Sequence, residues 1–83
     1  MRISKKTPSV DIHGLDRVSA ERRVKDFITA LPRGTDKAVV IHGFTNGNVL
    51  RDMVRGLWHE RVDTVVGDFA NDGVSVIYLN TTV

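Results

Sequence analysis

The sequence predicts a single α/β domain with the element order β-α-β-α-β-β, built as a two-layer sandwich of a mixed four-stranded sheet and two helices. Three observations lead to this fold class. Short β-branched runs alternate with segments that repeat apolar residues at helical spacing. The length of 83 residues suits one domain. A glycine-containing turn separates the last two β-branched runs, as in a hairpin.

The first half of the chain provides a strand, a helix and a second strand. Residues 9–13 alternate apolar and polar side chains, as a half-buried strand does. Ser19 is the predicted N-cap of the first helix, which ends at residues 32–34, where proline and glycine stop it. Residues 38–41 are continuously apolar, which is typical of a strand buried on both faces. The apolar stripe of the helix consists of Ala20, Val24, Phe27, Ile28 and Leu31.

The second half provides a helix and a closing pair of strands. Asn48 is the predicted N-cap of the second helix. Residues 62–69 and 74–79 are predicted strands, and residues 71–73 form the hairpin turn between them. The two crossovers imply parallel pairing, and the hairpin adds an antiparallel edge. We expect both helices on one face of the sheet. The apolar stripe of the second helix consists of Leu50, Met53, Val54, Leu57 and Trp58.

Charge is unevenly distributed along the chain, although the net charge is only +2. Residues 1–33 carry eight basic and four acidic side chains, a balance of +4, whereas residues 34–83 carry four basic and six acidic ones, a balance of −2. A basic half could face phosphates, and a solvated helix surface with a basic tail is the alternative. We interpret residues 1–8 as a basic flexible arm and residues 9–83 as the domain.

Composition excludes several classes of protein. The chain has no cysteine, which rules out disulfides, zinc–thiolate clusters and thiol nucleophiles. No apolar run approaches the roughly 20 residues of a membrane span, and the N-terminus lacks the apolar stretch of a signal peptide. We therefore expect a cytoplasmic protein without a membrane partner. Because so short a chain buries only about 60% of its unfolded surface, a homodimer is also an option.

Two predicted strands end in the same sequence, isoleucine-histidine-glycine. Ligands of open α/β sheets collect at the carboxyl ends of parallel strands, so His13 and His42 are expected to meet at one edge and reach one phosphodiester. Asp11 shares a strand face with His13, and a carboxylate in that position orients an imidazole for acid–base catalysis. A surface Asp–His pair without function is the alternative. The spacing of these three residues has no zinc signature.

The loop after the second predicted strand is another candidate site. Gly43 and Gly47 allow close backbone approach, and the first amides of the following helix, with Arg51, would favour an anion. Phe44 has few core partners in such a loop, so it could stack on a base. A turn that only joins strand to helix is the alternative. The loop lacks the Gly-Lys-Ser/Thr ending of a P-loop, which argues against nucleoside triphosphates.

Three motifs follow one another along the chain. Residues 10–14 read Val-Asp-Ile-His-Gly, and residues 39–47 contain a predicted strand that continues into a histidine-glycine loop. Residues 71–79 contain a glycine turn followed by an apolar strand. Together they resemble the small MutS-related (Smr) domain from about Val10 to Leu79, here as a stand-alone short member. The resemblance implies a fold similar to the C-terminal domain of translation initiation factor three. Val10 stands where leucine is commoner in the family.

The resemblance also implies a function. It suggests a nucleic-acid-binding protein with endonuclease activity, which nicks DNA or cleaves RNA, in some members at stalled ribosomes. By resemblance, Asp11 is the acid and His13 the first histidine, while His42 belongs to the second motif with Gly43 and Gly47, followed by the basic Arg51. The catalytic candidates are therefore Asp11, His13 and His42. The candidates for phosphate or nucleic-acid binding are Gly43, Phe44, Asn46, Gly47, Asn48 and Arg51.

Substrate and cofactor stay open at this level. RNA supplies its own 2′-OH as nucleophile and needs no metal, whereas DNA requires water and favours a divalent ion, Mg²⁺ or Mn²⁺, at Asp11. No cofactor is therefore required with RNA, and a divalent metal is the alternative with DNA. In the loop, Phe44-Thr45 occupies the place where the family often has a basic residue, which would weaken phosphate binding. The alternative function is a catalytically inactive module that binds RNA, DNA or another protein.

Overall fold

A computed structural model of the chain describes residues 7–43 and 48–80 and confirms the predicted α/β class and element order. The strands pair into one four-stranded sheet in the order β1-β2-β4-β3, and two helices complete the domain. The elements are β1 (Ser9–Asp11), α1 (Arg17–Ala30), β2 (Lys37–Ile41), α2 (Val49–Arg55), β3 (Val62–Asp68) and β4 (Asn71–Leu79). None of the helices in these ranges is long and apolar enough to cross a membrane.

The sheet is mixed, as predicted, and its closing hairpin forms an antiparallel edge. The predicted parallel pairing of β2 with β3 is wrong, because the two strands are not neighbours. β1 and β2 are parallel neighbours, as expected for strands joined by a helical crossover. β4 is antiparallel to both β2 and β3 and lies between them, so the last strand is central rather than an edge. β4 is nine residues long and largely buried, and only a central position provides hydrogen-bonding partners along both of its sides.

Both helices pack on the same face of the sheet, which confirms the predicted layer arrangement. Alternate residues of the strands point to this face, and the apolar stripes of the helices cover them. The buried core consists of Val10, Ile12, Ala20, Val24, Ile28, Ala38, Val40, Leu50, Met53, Val54, Ile77 and Leu79. On the opposite face Val66 and Tyr78 are 42% and 41% exposed, so that face is partly open among the described residues.

Helix α1 begins earlier than predicted. Asp16, not Ser19, is its N-cap, because the Asp16 carboxylate accepts a hydrogen bond of 3.2 Å from the backbone N–H of Ser19. This bond lowers the pKa of Asp16, and an ionised carboxylate suits the positive end of a helix. Ser19 therefore lies inside the first turn and provides a backbone donor instead of a side-chain acceptor.

The C-terminal end of α1 is closed by a residue far away in the chain. The guanidinium of Arg61 donates from Nη1 to the carbonyls of Ile28 and Leu31, both at 2.8 Å, and from Nη2 to Pro32 at 3.1 Å. The Ile28 carbonyl also accepts from the Leu31 N–H at 3.2 Å, so the guanidinium adds a charged donor to the end of the helix. A cation also suits the negative end of the helix dipole. Arg61 thus ties the end of α1 to the segment that precedes β3.

Helix α2 is shorter than its apolar stripe predicted. Asn48 occupies the N-cap position, but its side chain makes no capping hydrogen bond, and Gly56 ends the helix directly after Arg55. Leu57 still packs partly against the core, whereas Trp58 is 78% exposed and does not belong to the apolar face of α2. The periodic pattern continues in the sequence beyond Gly56, but a glycine so near the end of a short helix favours termination.

The β3–β4 connection differs from the predicted hairpin. Asp68 pairs with Asn71, so Phe69 and Ala70 form the turn, and residues 71–73 belong to β4. The Asn71 side chain accepts a hydrogen bond of 2.9 Å from the Gly73 backbone N–H, and the register shifts beside this segment. Asparagine, aspartate and glycine thus form a β-bulge rather than the hairpin turn that they favour in isolation.

Removal of the Arg61 guanidinium is expected to destabilise the domain. Arg61→Ala would leave the terminal carbonyls of α1 without their charged donor, at a cost of about 1.5–3 kcal/mol in the free energy of unfolding. Urea denaturation measures this difference. Arg33→Ala, an exposed arginine in the same turn region, is the control and should change stability by less than about 0.5 kcal/mol. Equal unfolding midpoints for the two variants would show that Arg61 is not a cap.

Candidate functional site

The carboxyl ends of β1 and β2 lie side by side at one end of the sheet. Asp11 is the ladder partner of Ile41, and the Ile12 backbone N–H donates to the Ile41 carbonyl at 2.9 Å. Two of the three sequence motifs therefore meet at a common rim, as the parallel crossover predicted. We use "the rim" for this end of the sheet, formed by residues 11–14, 41–43 and 71–74.

The two histidines at the rim have opposite environments. The side chain of His13 is 64% exposed, whereas His42 is only 3% exposed. The register explains the difference, because Asp11 rather than Ile12 lies opposite Ile41. Ile12 and His42 therefore occupy matching positions on the face that the helices cover, and His13 follows one residue later in the exposed turn. The two rings therefore lie in different environments, one in solvent and one in the interior, whereas both were expected to reach one phosphodiester.

Asp11 and His13 form an exposed pair. Oδ1 of Asp11 accepts a hydrogen bond of 2.5 Å from the ring Nδ1 and one of 3.1 Å from the backbone N–H of the same histidine. The ring bond to His13, followed by the backbone bond, lowers the pKa of Asp11 below its usual value. The carboxylate is therefore ionised at neutral pH, holds the Nδ1–H tautomer and directs Nε2 away from itself. A general base is commonly supported in this way.

His42 is anchored inside the domain. In its neutral form the ring donates from Nδ1 to the Gly43 carbonyl at 2.9 Å and accepts at Nε2 from the Ser75 hydroxyl at 2.9 Å. Ser75 is fully buried on β4. Both ring nitrogens thus have protein partners, as buried polar groups require. In this arrangement His42 holds the start of the loop that follows it, and neither nitrogen faces a substrate.

The bulge of β4 completes the rim. The Gly73 carbonyl accepts hydrogen bonds of 2.9 Å from the backbone N–H groups of both His42 and Gly43. Gly43 then adopts φ +68°, a conformation that glycine reaches without strain, and the chain turns away from β2. The Gly43 amide is therefore occupied by Gly73, and the contribution of Gly43 to the described rim is to redirect the chain.

The structure describes only some of the other residues predicted to bind phosphate or nucleic acid. Phe44, Asn46 and Gly47 lie outside the described residues. Asn48 is exposed at the start of α2. Arg51 lies one turn further along, where its Nε and Nη2 atoms are both 3.4 Å from Oδ1 of Asp52. The Arg51 charge is thus balanced in part by a neighbouring exposed carboxylate.

A known protein-family model covers all three sequence motifs. The sequence model described as the Smr domain matches residues 10–80, nearly the whole chain. The protein belongs to the Smr domain family. Proteins with this domain generally bind nucleic acid, and some members have nuclease activity. No curated protein sequence matches the chain significantly.

The donor set for a metal at the rim of this Smr domain is small. Within residues 7–43 and 48–80, no three histidine, aspartate, glutamate or cysteine side chains gather in a position to hold a metal ion. Asp11 and His13 provide two donors, and they are bonded to each other through Nδ1 and Oδ1. A divalent ion at Asp11 would therefore complete its coordination with water or with phosphate oxygens of a substrate.

A groove that the sequence did not predict runs beside Asp11. It lies between the outer edge of β1 and one side of α1, with a volume of about 730 Å³. Its lining residues are Ser9, Val10, Asp11, Leu15, Ser19, Arg22, Arg23, Asp26 and Phe27. The helical pattern places Arg22 and Arg23 on the outer side of α1, but it does not show that this side adjoins the free edge of the sheet. The groove is a product of tertiary packing.

Loss of the Ser75 hydroxyl is expected to destabilise the rim from within. In Ser75→Ala the buried Nε2 of His42 loses its partner, which should lower the free energy of unfolding by about 1–3 kcal/mol. Chemical denaturation monitored by circular dichroism measures the loss. Ser9→Ala, at an exposed strand position, is the control. If the two variants unfold alike, the His42–Ser75 bond does not contribute to stability.

The pKa of Asp11 is expected to depend on His13. Titration followed by carboxyl ¹³C NMR should give a pKa for Asp11 below the usual aspartate value, and His13→Ala should move it back towards that value. Since folding lowers this pKa, the stability it contributes is fully present above the unfolded-state value of about 3.9 and is lost as the pH falls through the lower folded value. An unchanged Asp11 titration in His13→Ala would contradict the hydrogen-bonded pair.

Proposed function

We propose that this Smr domain is a nucleic-acid-binding endonuclease whose reaction takes place at the exposed Asp11–His13 pair. The observation that supports the proposal is an imidazole held by an ionised carboxylate at 2.5 Å, with its second nitrogen on the solvent side of the rim. A base of this kind is useful only where a substrate can reach it. The 64% exposure of the His13 side chain meets that requirement.

The proposed chemistry is acid–base catalysis by His13. With RNA, Nε2 takes the proton of a 2′-OH, the 2′-oxygen forms a bond to phosphorus, and the bond from phosphorus to the 5′-oxygen breaks as that oxygen takes a proton from water. Asp11 stabilises the imidazolium that forms, as the carboxylate does in other catalytic Asp–His pairs. With DNA, water replaces the 2′-OH, and Mg²⁺ or Mn²⁺ at Asp11 would supply the activated nucleophile.

Phosphate binding is assigned to the loop and to the start of α2. The Gly43 amide already donates to the Gly73 carbonyl, so the proposed donors to phosphate lie further along the chain. They are Phe44, Asn46, Gly47 and Asn48, together with the side chain of Arg51. His42 then acts as a positioning residue, because its bonds to Gly43 and Ser75 hold the base of this loop.

A cytoplasmic location, association with ribosomes and homodimerisation belong to the same proposal. The excess of positive charge in residues 1–33 supports a polyanionic partner in general, because neutralisation of phosphates by lysine and arginine dominates nucleic-acid affinity.

The decisive experiment is cleavage by His13→Ala. Labelled single- and double-stranded RNA and DNA are incubated with the purified protein, with and without a chelator. Loss of the general base should lower the cleavage rate by about 10²–10⁴-fold while binding is retained. His59→Ala is the matched control, since His59 bonds Thr29 and the backbone of Arg61 away from the rim. Undiminished cleavage by His13→Ala would remove this histidine from the mechanism.

A binding module without catalysis is the second candidate function. It is favoured by the burial of His42, which leaves one exposed imidazole at the described rim where two were predicted. Such a module would show binding to RNA or DNA that weakens steeply with salt, but no product. Arg51→Ala would then reduce affinity in the same assays.

A further inference from the structure

The outer edge of β1 carries backbone hydrogen-bonding groups that do not face β2. The Val39 N–H donates to the Pro8 carbonyl and the Ile12 N–H donates to the Ile41 carbonyl, both at 2.9 Å, so alternate residues of β1 face β2. The backbone groups of Ser9 and Asp11 therefore point the other way, away from the sheet. This edge presents the carbonyl of Ser9, an acceptor, and the N–H of Asp11, a donor, two residues apart.

We infer that the groove between β1 and α1 binds one unpaired nucleobase of the strand that the domain acts on, next to the phosphodiester at His13. The inference rests on the proposed function and deepens it by defining part of the substrate. Every nucleobase carries neighbouring hydrogen-bond donors and acceptors on its Watson–Crick edge, and proteins that read single strands bind this edge. The Ser9 carbonyl and the Asp11 N–H match such an edge.

The walls of the groove suit a planar ring with a phosphate attached. Leu15 and Phe27 are partly buried apolar residues and provide the hydrophobic contact. Arg22 and Arg23 lie on the wall formed by α1, where Oδ2 of Asp26 is 4.0 Å from Nε of Arg22. A guanidinium either stacks on a base or binds a phosphate. The volume of about 730 Å³ falls in the range of small-molecule sites, roughly 300–1,000 Å³.

The groove and the Asp11–His13 pair are continuous. Asp11 lines the groove, and its side chain bonds His13. Arg23 lines the same groove as Asp11. After the hydrogen bonds from His13, attraction by the Arg23 charge also lowers the pKa of Asp11. A base seated at the β1 edge would thus bring its own phosphate, or that of its neighbour, to the imidazole.

An added peptide strand is a poorer occupant of this edge. β1 has three residues, and only Ser9 and Asp11 direct backbone groups outward. Peptides that extend a sheet gain affinity from a longer row of main-chain bonds, and short edge strands disfavour such pairing. The opposite wall carries two arginines against one carboxylate, Asp26, and this excess of positive charge further favours an occupant that carries phosphate.

The test uses backbone amide NMR of the wild-type domain with AMP, and with ribose 5-phosphate as the probe that lacks a base. AMP should shift the Asp11 amide and those of the α1 wall, and ribose 5-phosphate should not. Ser19→Trp fills the groove and should abolish these shifts, as well as weaken binding of single-stranded RNA about tenfold, or by about 1.4 kcal/mol. Val18→Trp is the matched control, because Val18 is 72% exposed and lies outside the groove.

Several results would overturn the base site. They are equal shifts with AMP and ribose 5-phosphate, shifts with an extended Val-Thr pentapeptide but not with AMP, and equal RNA affinity of the two tryptophan variants. Concentration-dependent broadening of the β1 amides without ligand would assign the edge to a second copy of the chain. AMP binding in the groove without cleavage of any polymer supports the base site and removes the endonuclease. If Ser19→Trp cleaves RNA or DNA at the wild-type rate, the endonuclease is supported and the base site is removed.

Discussion

The parallel register of β1 against β2 determines the character of the rim. Asp11 lies opposite Ile41, so the two Ile-His-Gly sequences are offset by one residue across the ladder. Because side chains alternate along a strand, a one-residue offset exchanges the two faces of the sheet. His13 consequently emerges into solvent with Asp11 beside it, and His42 enters the interior. With the two sequences in phase, both rings would have the same environment.

The two histidines thus have complementary parts in one site. In the proposed reaction His13 is the reactive group, because its ring is exposed and hydrogen-bonded to Asp11. His42 belongs to a buried network in which Ser75 and the Gly43 carbonyl satisfy both of its nitrogens. The Gly73 carbonyl joins this network from the bulge of β4. A network of this kind limits the movement of the rim, and precise placement of an acid–base group contributes strongly to catalysis.

The edge position of β1 gives the site its second component. Exposed strand edges are usually protected because they pair with other chains, and here the strand is short and α1 flanks it. The same arrangement creates a groove that combines backbone donors and acceptors with arginines. In the proposed reaction the rim provides the reactive pair and the groove provides a place for part of the substrate. Asp11 belongs to both.

Local patterns in the sequence determined much of this protein by themselves. The element order, the apolar stripes of α1 and α2 and the contact between Asp11 and His13 all follow from spacings of two to four residues, which fix the relative direction of side chains within one element. The family match extends over the same motifs. The Asp11–His13 pair could therefore be predicted as a candidate site before any coordinates.

Other features were decided only by the tertiary structure. The central place of β4, the bulge at Gly73, the buried face of His42 and the cap from Arg61 each depend on a partner far along the chain. The groove likewise exists only because α1 packs beside an edge strand. Strand register and helix placement minimise the free energy of the whole core, and no short segment contains the information that specifies them.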